Sequence, residues 1–324
     1  MFISLGIICQ TVTVFGTVSN VINCIIFVKQ GFSDTINISL LSLALSDLCS
    51  LLCIMWSNLC FTPAFQDSGI PMATYEVHLI TGSWPHVIFT RTTGWITAFI
   101  SLERCVCVIR PLKVKTIFTR RRHILAMISF FVIPLSCGSL AYLCAGLEWR
   151  FSPERNRTLI GLVYHMDAYR RRITHSVSYA VNGVLMPVSC FVSVVVLTTV
   201  LVTKLNKKSA WRHFNSSSVC QKADSSNNKV NIKDMKAAKM VVLISIIFIT
   251  SFIPAVAIFI AGFVDPQLSY DGLYKNLFLV TLSVSFTTEA FNSSINICVY
   301  FVMSTKYRRS FLRMFTFYTS GNAP

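Results

Sequence analysis

The chain has 324 residues, 53% of them of hydrophobic type and only 13% charged, with a mean hydropathy of +0.61. A soluble domain carries about 25% charged residues, so this composition excludes a water-soluble globule and directs attention to spans of about 20 apolar residues. The formal charge of +16 comes from 29 Lys and Arg against 13 Asp and Glu; its placement decides whether it marks nucleic-acid binding or membrane topology.

Seven apolar stretches follow one another. Residues 3–28 carry no Asp, Glu, Lys or Arg, and 36–60 carry only Asp47. The third, 84–109, contains Arg91, Glu103 and Arg104. Residues 124–147 and 176–203 are again free of these charges, 237–263 holds only Lys239, and 276–303 holds only Glu289. Each is long enough to cross about 30 Å of hydrocarbon as a helix. The first lacks a basic leader and its apolar run is too long for a secretory signal, so it reads as a helix that stays. Beyond residue 303, Tyr307, Phe311, Met314 and Phe315 recur at i, i+4, i+7 and i+8, with Lys306, Arg308, Arg309 and Arg313 elsewhere. That spacing predicts a short helix along the inner membrane face. The expected fold is therefore an all-α membrane protein: a seven-transmembrane helix bundle over 1–303, then an amphipathic eighth helix and short tail over 304–324. The inner loop at 209–231 is rich in Ser, Asn and Lys and is expected to be mobile. No internal repeat of the kind many transporters show is present. No phosphate loop, nucleophile elbow or HExxH occurs either, so neither an enzyme nor a cofactor is expected.

Twenty of the 29 cations lie on one side of the expected membrane, at Lys29, 110–123, 204–239 and the tail. Seven lie on the other, in 148–175 and at Lys275, and Arg91 and Arg104 fall within a span. Cations concentrate on the cytoplasmic side, which places the N-terminus outside and the C-terminus inside a plasma-membrane protein. The charge sits at membrane edges, so no nucleic-acid partner is expected. The sequon Asn156-Arg157-Thr158 falls in a loop assigned outside and is an expected glycosylation site, whereas those at Asn37, Asn215 and Asn292 fall inside or within helices.

Ionisable groups in a span are costly and mark function. The third span closes on Glu103-Arg104-Cys105, with Pro111-Leu112 seven residues after the arginine. Asn20 ends GTVSN in the first span, and LALSD at 43–47 ends on Asp47 in the second. The fifth holds Pro187 and the sixth FITSFIP at 248–254, with Phe248, Phe252 and Pro254. The seventh holds NSSINICVY at 292–300, with Asn296 and Tyr300, and Tyr307 opens the eighth. In this order and in these spans, the pieces resemble rhodopsin-like (family A) G-protein-coupled receptors across nearly the whole chain. Cys105, Phe252 and Ile297 depart from the family's usual tyrosine, tryptophan and proline. The wording of WITAFISLERCVCVIRPLKVK and FVKQGFSDTINISLLSLALSD resembles the expanded peptide or chemosensory receptors of molluscs.

The resemblance implies a receptor that binds an extracellular ligand, a peptide or chemosensory cue, and activates a heterotrimeric G protein. Arg104 would pair with Glu103 and with Asp234 at the base of the sixth helix, and release of that pair would let Arg104 meet the G protein while Tyr300 turns inward. Asp47 with Thr93, Asn292 and Asn296 would form an allosteric sodium site, the alternative being a protonated Asp47 held by hydrogen bonds. His86 and Glu289 would face the outer half of the bundle, where Glu289 either meets a basic ligand or pairs with His86. His86 stands where amine receptors carry an aspartate, and Ala290 where opsins carry the retinal lysine. The disulfide common in such receptors has no cysteines here, since Leu79 occupies one position and the 148–175 loop holds none. Cys60 and Cys144, near outer helix ends, could pair instead, the alternative being free thiols. Two other readings stand beside this one: a non-signalling decoy or scavenger of the same fold, and a seven-helix channel or transporter, which would need a continuous polar path.

Overall fold

A computed structural model describes residues 2–111, 113–153, 156–216, 225–268 and 272–320, with backbone alone at 2–5, 115, 140, 175, 208–216, 225–234 and 315–320. Seven long helices form the bundle: α1 (Phe2–Gln30), α2 (Thr35–Phe61), α3 (Trp84–Ile109), α4 (Arg120–Cys144), α5 (Met186–Ser216), α6 (Ser225–Val264) and α7 (Lys275–Met303). An eighth, α8 (Thr305–Ser320), follows. Helices α5 and α6 run into the stretch expected to be a mobile loop, leaving 217–224 outside the described residues.

The side-chain distribution is that of a protein dissolved in lipid. On α1, Ile7, Val14, Val18, Val21 and Ile25 are exposed while Thr13, Ser19, Asn20 and Asn23 are buried. Helix α4 turns Leu125, Ile128, Val132, Ile133 and Leu135 outward. Hydrocarbon cannot satisfy hydrogen-bonding groups, so polar side chains gather inside and apolar ones face out. Among the described residues, six helices are long and apolar enough to cross a membrane: Gly6–Gln30, Thr35–Phe61, Thr74–Ile109, Arg120–Cys144, Ala168–Lys207 and Met235–Val264. Helix α7 is as long but more polar, burying Ser285, Glu289, Asn292, Ser293, Ser294 and Asn296 against its neighbours.

Local chemistry sets the element ends. Gly31 stops α1 at φ +75°, a left-handed conformation that costs glycine nothing, and its N–H returns to the Val28 carbonyl at 3.1 Å. A helix at Thr74–His78 and a π-helical turn at Leu79–Ser83 lead into α3, which begins at Trp84-Pro85. Helix α5 has a similar approach, a helix at Ala168–Ser178 and a π-helical turn at Tyr179–Leu185. Gly94 lets α3 approach α5 and α6, because a Cβ there would run into Cys190 and Phe248.

The loop between α4 and α5 lies at the end of the bundle opposite Lys29, and these two ends are termed outer and inner as labels only; it holds strands β1 (Ala145–Ser152) and β2 (Arg157–Tyr164), paired antiparallel from Ala145↔Tyr164 to Ser152↔Arg157. This hairpin is the departure from the expected all-α fold. Aromatic and branched residues suit both strands, and Asn156 takes the turn at φ 45°, a conformation asparagine tolerates. The inner half of the bundle is closed by a cluster including Phe27, Leu43, Ile100, Leu201, Val241, Ile244 and Tyr300.

Candidate functional site

The polar residues of the bundle interior fall at three levels. At the inner end of α3, Arg104 Nη2 lies 3.1 Å from Glu103 Oε1, with Arg104 8% and Glu103 2% exposed. Thr35, in the first turn of α2, donates to the same Glu103 oxygen at 2.9 Å. Among the described residues, Glu103 Oε2 and Arg104 Nε are buried without a hydrogen-bond partner. A buried polar atom left unpaired costs about 1–3 kcal/mol, so this pair is held closed without being fully satisfied. Nearby, Ser101 on α3 and Ser245 on α6 share a hydrogen bond at 2.9 Å, and Ser39 on α2 meets His123 on α4 at 2.6 Å. Tyr300 is buried against Phe27, with centroids 5.3 Å apart in an edge-on contact, and against Tyr307 at 5.5 Å. Tyr307 in turn donates its hydroxyl to Asn23 on α1, and burial raises its pKa, so it remains a donor.

At the middle level the carboxylate of Asp47 on α2 gathers three donors. Thr93 on α3 and Ser293 on α7 donate to Oδ1 at 2.9 and 3.0 Å, and Asn296 Nδ2 donates to Oδ2 at 2.9 Å. Thr93, Asp47 and Asn296 are thus brought together, with one correction: Ser293 contacts the carboxylate where Asn292 was expected. Asn292 is buried but is not a partner of Asp47. Neighbouring residues on a helix point about 100° apart, and the phase of α7 turns 293 rather than 292 toward Asp47. Asn20 Nδ2 clasps the Ser293 carbonyl at 2.8 Å, fixing that phase from α1. On α6, Phe248 and Phe252 are buried and stacked with centroids 4.1 Å apart, one turn before Pro254. Pro254 has no N–H for the Thr250 carbonyl four residues back, and Thr288 of α7 donates to the adjacent Ser251 carbonyl at 2.8 Å.

At the outer level His86 Nε2 lies 2.9 Å from Glu289 Oε2, with His86 1% and Glu289 4% exposed. A carboxylate only accepts, so Nε2 donates and Nδ1 is left for the Ser50 hydroxyl at 2.8 Å. Glu289 thus pairs with His86 across α7 and α3. Arg91 is the residue that sequence reasoning left unassigned. It is 2% exposed, its Nε donates to the Asn182 carbonyl in the π-helical turn at 2.9 Å, and its guanidinium lies 5.4 Å from the Phe259 ring. Among the described residues no carboxylate comes within ion-pair distance of it. Its signal was legible, a lone cation in an apolar span; its surroundings were not.

This arrangement, seven helices with ionisable side chains facing inward at three levels, accompanies a match over nearly the whole chain. The family model for the serpentine type 7TM GPCR chemoreceptor Srw matches residues 7–318. The chain belongs to that family. No curated protein matches it. Members of a seven-helix GPCR chemoreceptor family are multi-pass membrane receptors, a receptor family and not an enzyme family, with a ligand and a G protein as the general partners of the class.

Within this Srw chain the remaining expectations fall as follows. Cys60 and Cys144 are not bonded to each other: both are free, and Cys144 Sγ faces the Met166 sulfur at 3.8 Å. The outer loop is held by backbone and charge instead. Glu76 accepts from the Leu162 N–H at 2.7 Å and pairs with Arg150, so one carboxylate joins the approach to α3 to both strands. Ala73 N–H donates to the Ile160 carbonyl at 2.8 Å, and Ile160 N–H to the Pro71 carbonyl at 2.9 Å. Asn156 is exposed at the hairpin turn. The side chain of Asp234, the expected second partner of Arg104, lies outside the described residues.

Proposed function

We propose that this chain is a plasma-membrane chemoreceptor of the rhodopsin-like type. In this reading its N-terminus is extracellular and its C-terminus cytoplasmic, and it senses a peptide or chemosensory cue and activates a heterotrimeric G protein. The observation that carries this reading is the buried Glu103–Arg104 pair, closed at 3.1 Å yet with one atom of each side chain unpaired among the described residues. Such a pair suits a two-state element: separation exposes a cation that a partner can take, and closure is only modestly favoured. Asp234 acts as a second lock from α6, and Tyr300 swings from its Phe27–Tyr307 packing toward the bundle axis on activation. The molluscan wording of the third-span region fits a receptor for a peptide or small cue, met at the outer level around His86, Glu289 and Arg91. The donor set at Asp47 fits an allosteric sodium ion. A carboxylate with the hydroxyl oxygens of Thr93 and Ser293 beside it is an all-oxygen site of the type a hard cation takes. Sodium bound there would add positive charge against Asp47 and favour the closed form. Asn156 is the glycosylation site.

Basal nucleotide exchange on a panel of G proteins tests the switch without a ligand. Asp234→Ala should raise exchange on the preferred G protein, and Arg104→Ala should abolish it while surface expression persists. Exchange that persists in the Arg104→Ala variant overturns the assigned switch, and flat readings from every variant at the surface favour a decoy that binds without signalling.

A further inference from the structure

The junction of α1 and α8 forms a groove of about 340 Å³ that the receptor reading does not use, lined by Lys29, Gln30, Thr305, Lys306, Arg309, Ser310 and Arg313. Four of these seven are cations, and all four are exposed. Among the described residues none of them has a carboxylate within ion-pair distance. Lys306, Arg309 and Arg313 fall at i, i+3 and i+7, on one face of α8. Tyr307 and Phe311 hold that helix to the bundle through Tyr300 and Phe301, with centroids 5.5 and 5.4 Å apart. Gln30 Nε2 donates to Ser310 Oγ at 3.3 Å and ties the end of α1 to α8, so Lys29 faces the α8 cations across the groove.

A preference for cations on the inner side explains basic residues there. It does not explain four of them converging on one concavity, where like charges repel and attract a counter-ion. The level of the groove points to the counter-ion's source. Lys29 is the first charge after the apolar stretch 3–28, so the groove opens where hydrocarbon gives way to headgroups. The neighbours of Lys29 on α1, Ile25 and Val28, are exposed apolar side chains, ready to lie against acyl chains.

We propose that this groove binds the headgroup of an acidic membrane phospholipid bearing phosphomonoesters. A phosphomonoester carries about −1.5 to −2 near neutral pH, so two on one headgroup match the four cations, which a singly charged headgroup does not. Arg309 and Arg313 offer paired N–H groups to phosphate oxygens, the lysines supply point charges, and Gln30 and Ser310 supply neutral donors. The bound lipid would fasten α8 to the end of α1 at the inner membrane face.

The test titrates the full chain in detergent micelles with dioctanoyl phosphatidylinositol bisphosphate, dioctanoyl phosphatidylserine, and inositol trisphosphate without acyl chains. Saturable binding of the first, tighter than of the second, is expected. At about fivefold per cation, Lys306→Gln with Arg309→Gln should weaken it about 25-fold. Lys29→Gln should weaken it from the opposite wall, which separates loss of the groove from fraying of α8. Arg120→Gln with Arg121→Gln removes the same charge at another inner edge and should leave affinity unchanged. Equal losses in the two double variants, or no saturation, would overturn the site. Inositol trisphosphate binding as tightly as the lipid would overturn the membrane as its source. No G protein or agonist enters the measurement, so its outcome is independent of whether the receptor signals.

Discussion

Arg104 lies 3.1 Å from the carboxylate of Glu103, whereas Arg91, on the same helix, reaches only a carbonyl and a ring. The difference comes from depth and neighbours. Arg104 is at the inner edge beside an acid, while Arg91 is inside the bundle against the irregular turn before α5. Among the described residues Arg91 has no carboxylate within ion-pair distance, and a buried charge so placed is costly, so Arg91 would gain from an anionic contact. Asp47 shows the opposite condition, a carboxylate with three donors and nothing left unpaired. Asp47→Asn keeps its shape and removes its charge, but turns an N–H toward groups that already donate, at a cost of about 1–3 kcal/mol. If the site holds sodium, exchanging choline for sodium should raise the melting temperature and lower basal nucleotide exchange of the native chain, and Asp47→Asn should lose both responses. An unchanged sodium response in the variant would exclude this site.

At the scale of elements, the hairpin is held to the approach to α3 by hydrogen bonds and an ion pair. Glu76 holds it through the Leu162 N–H and Arg150. The Arg150 side chain is 44% exposed, so the ion pair itself contributes under about 1 kcal/mol; the bond to a backbone N–H in a part-buried setting adds a similar amount. Glu76→Ala should therefore speed amide exchange across 157–164 by about tenfold, the equivalent of about 1.4 kcal/mol, while α1 and α2 exchange as before. Unchanged protection would mean that the backbone bonds at Ala73 and Ile160 hold the strands without Glu76. The hairpin was hard to read beforehand because β1 continues directly from the apolar stretch of α4 and its partners come from residues 71–76, far away in sequence. The helices were easier, since apolar runs this long have few other solutions in a bilayer.

For the molecule as a whole, the arrangement of cations supports one orientation, and the hairpin turn supplies the probe for it. Asn156 is exposed at the turn of that hairpin. In animal cells the native chain should lose mass on glycosidase treatment and Asn156→Gln should not, while an epitope after residue 320 should be labelled only in permeabilised cells. An unmodified Asn156 with a tail reached from outside would reverse the orientation.

Sequence alone determined the helix count and order, the membrane as solvent, and the identity of the costly buried groups, because each follows from local composition and from the price of placing charge in hydrocarbon. It pointed to Glu103, Arg104, Asp47, His86 and Glu289 on those grounds. Only the tertiary structure decided which partners these groups hold. Helix phase put Ser293 rather than Asn292 on Asp47, packing directed Glu289 to His86, an irregular turn received Arg91, and the close of α8 on α1 brought Lys29 beside the three cations of α8. Such pairings depend on rotations of whole helices against one another, and no stretch of chain short enough to read as a pattern contains them.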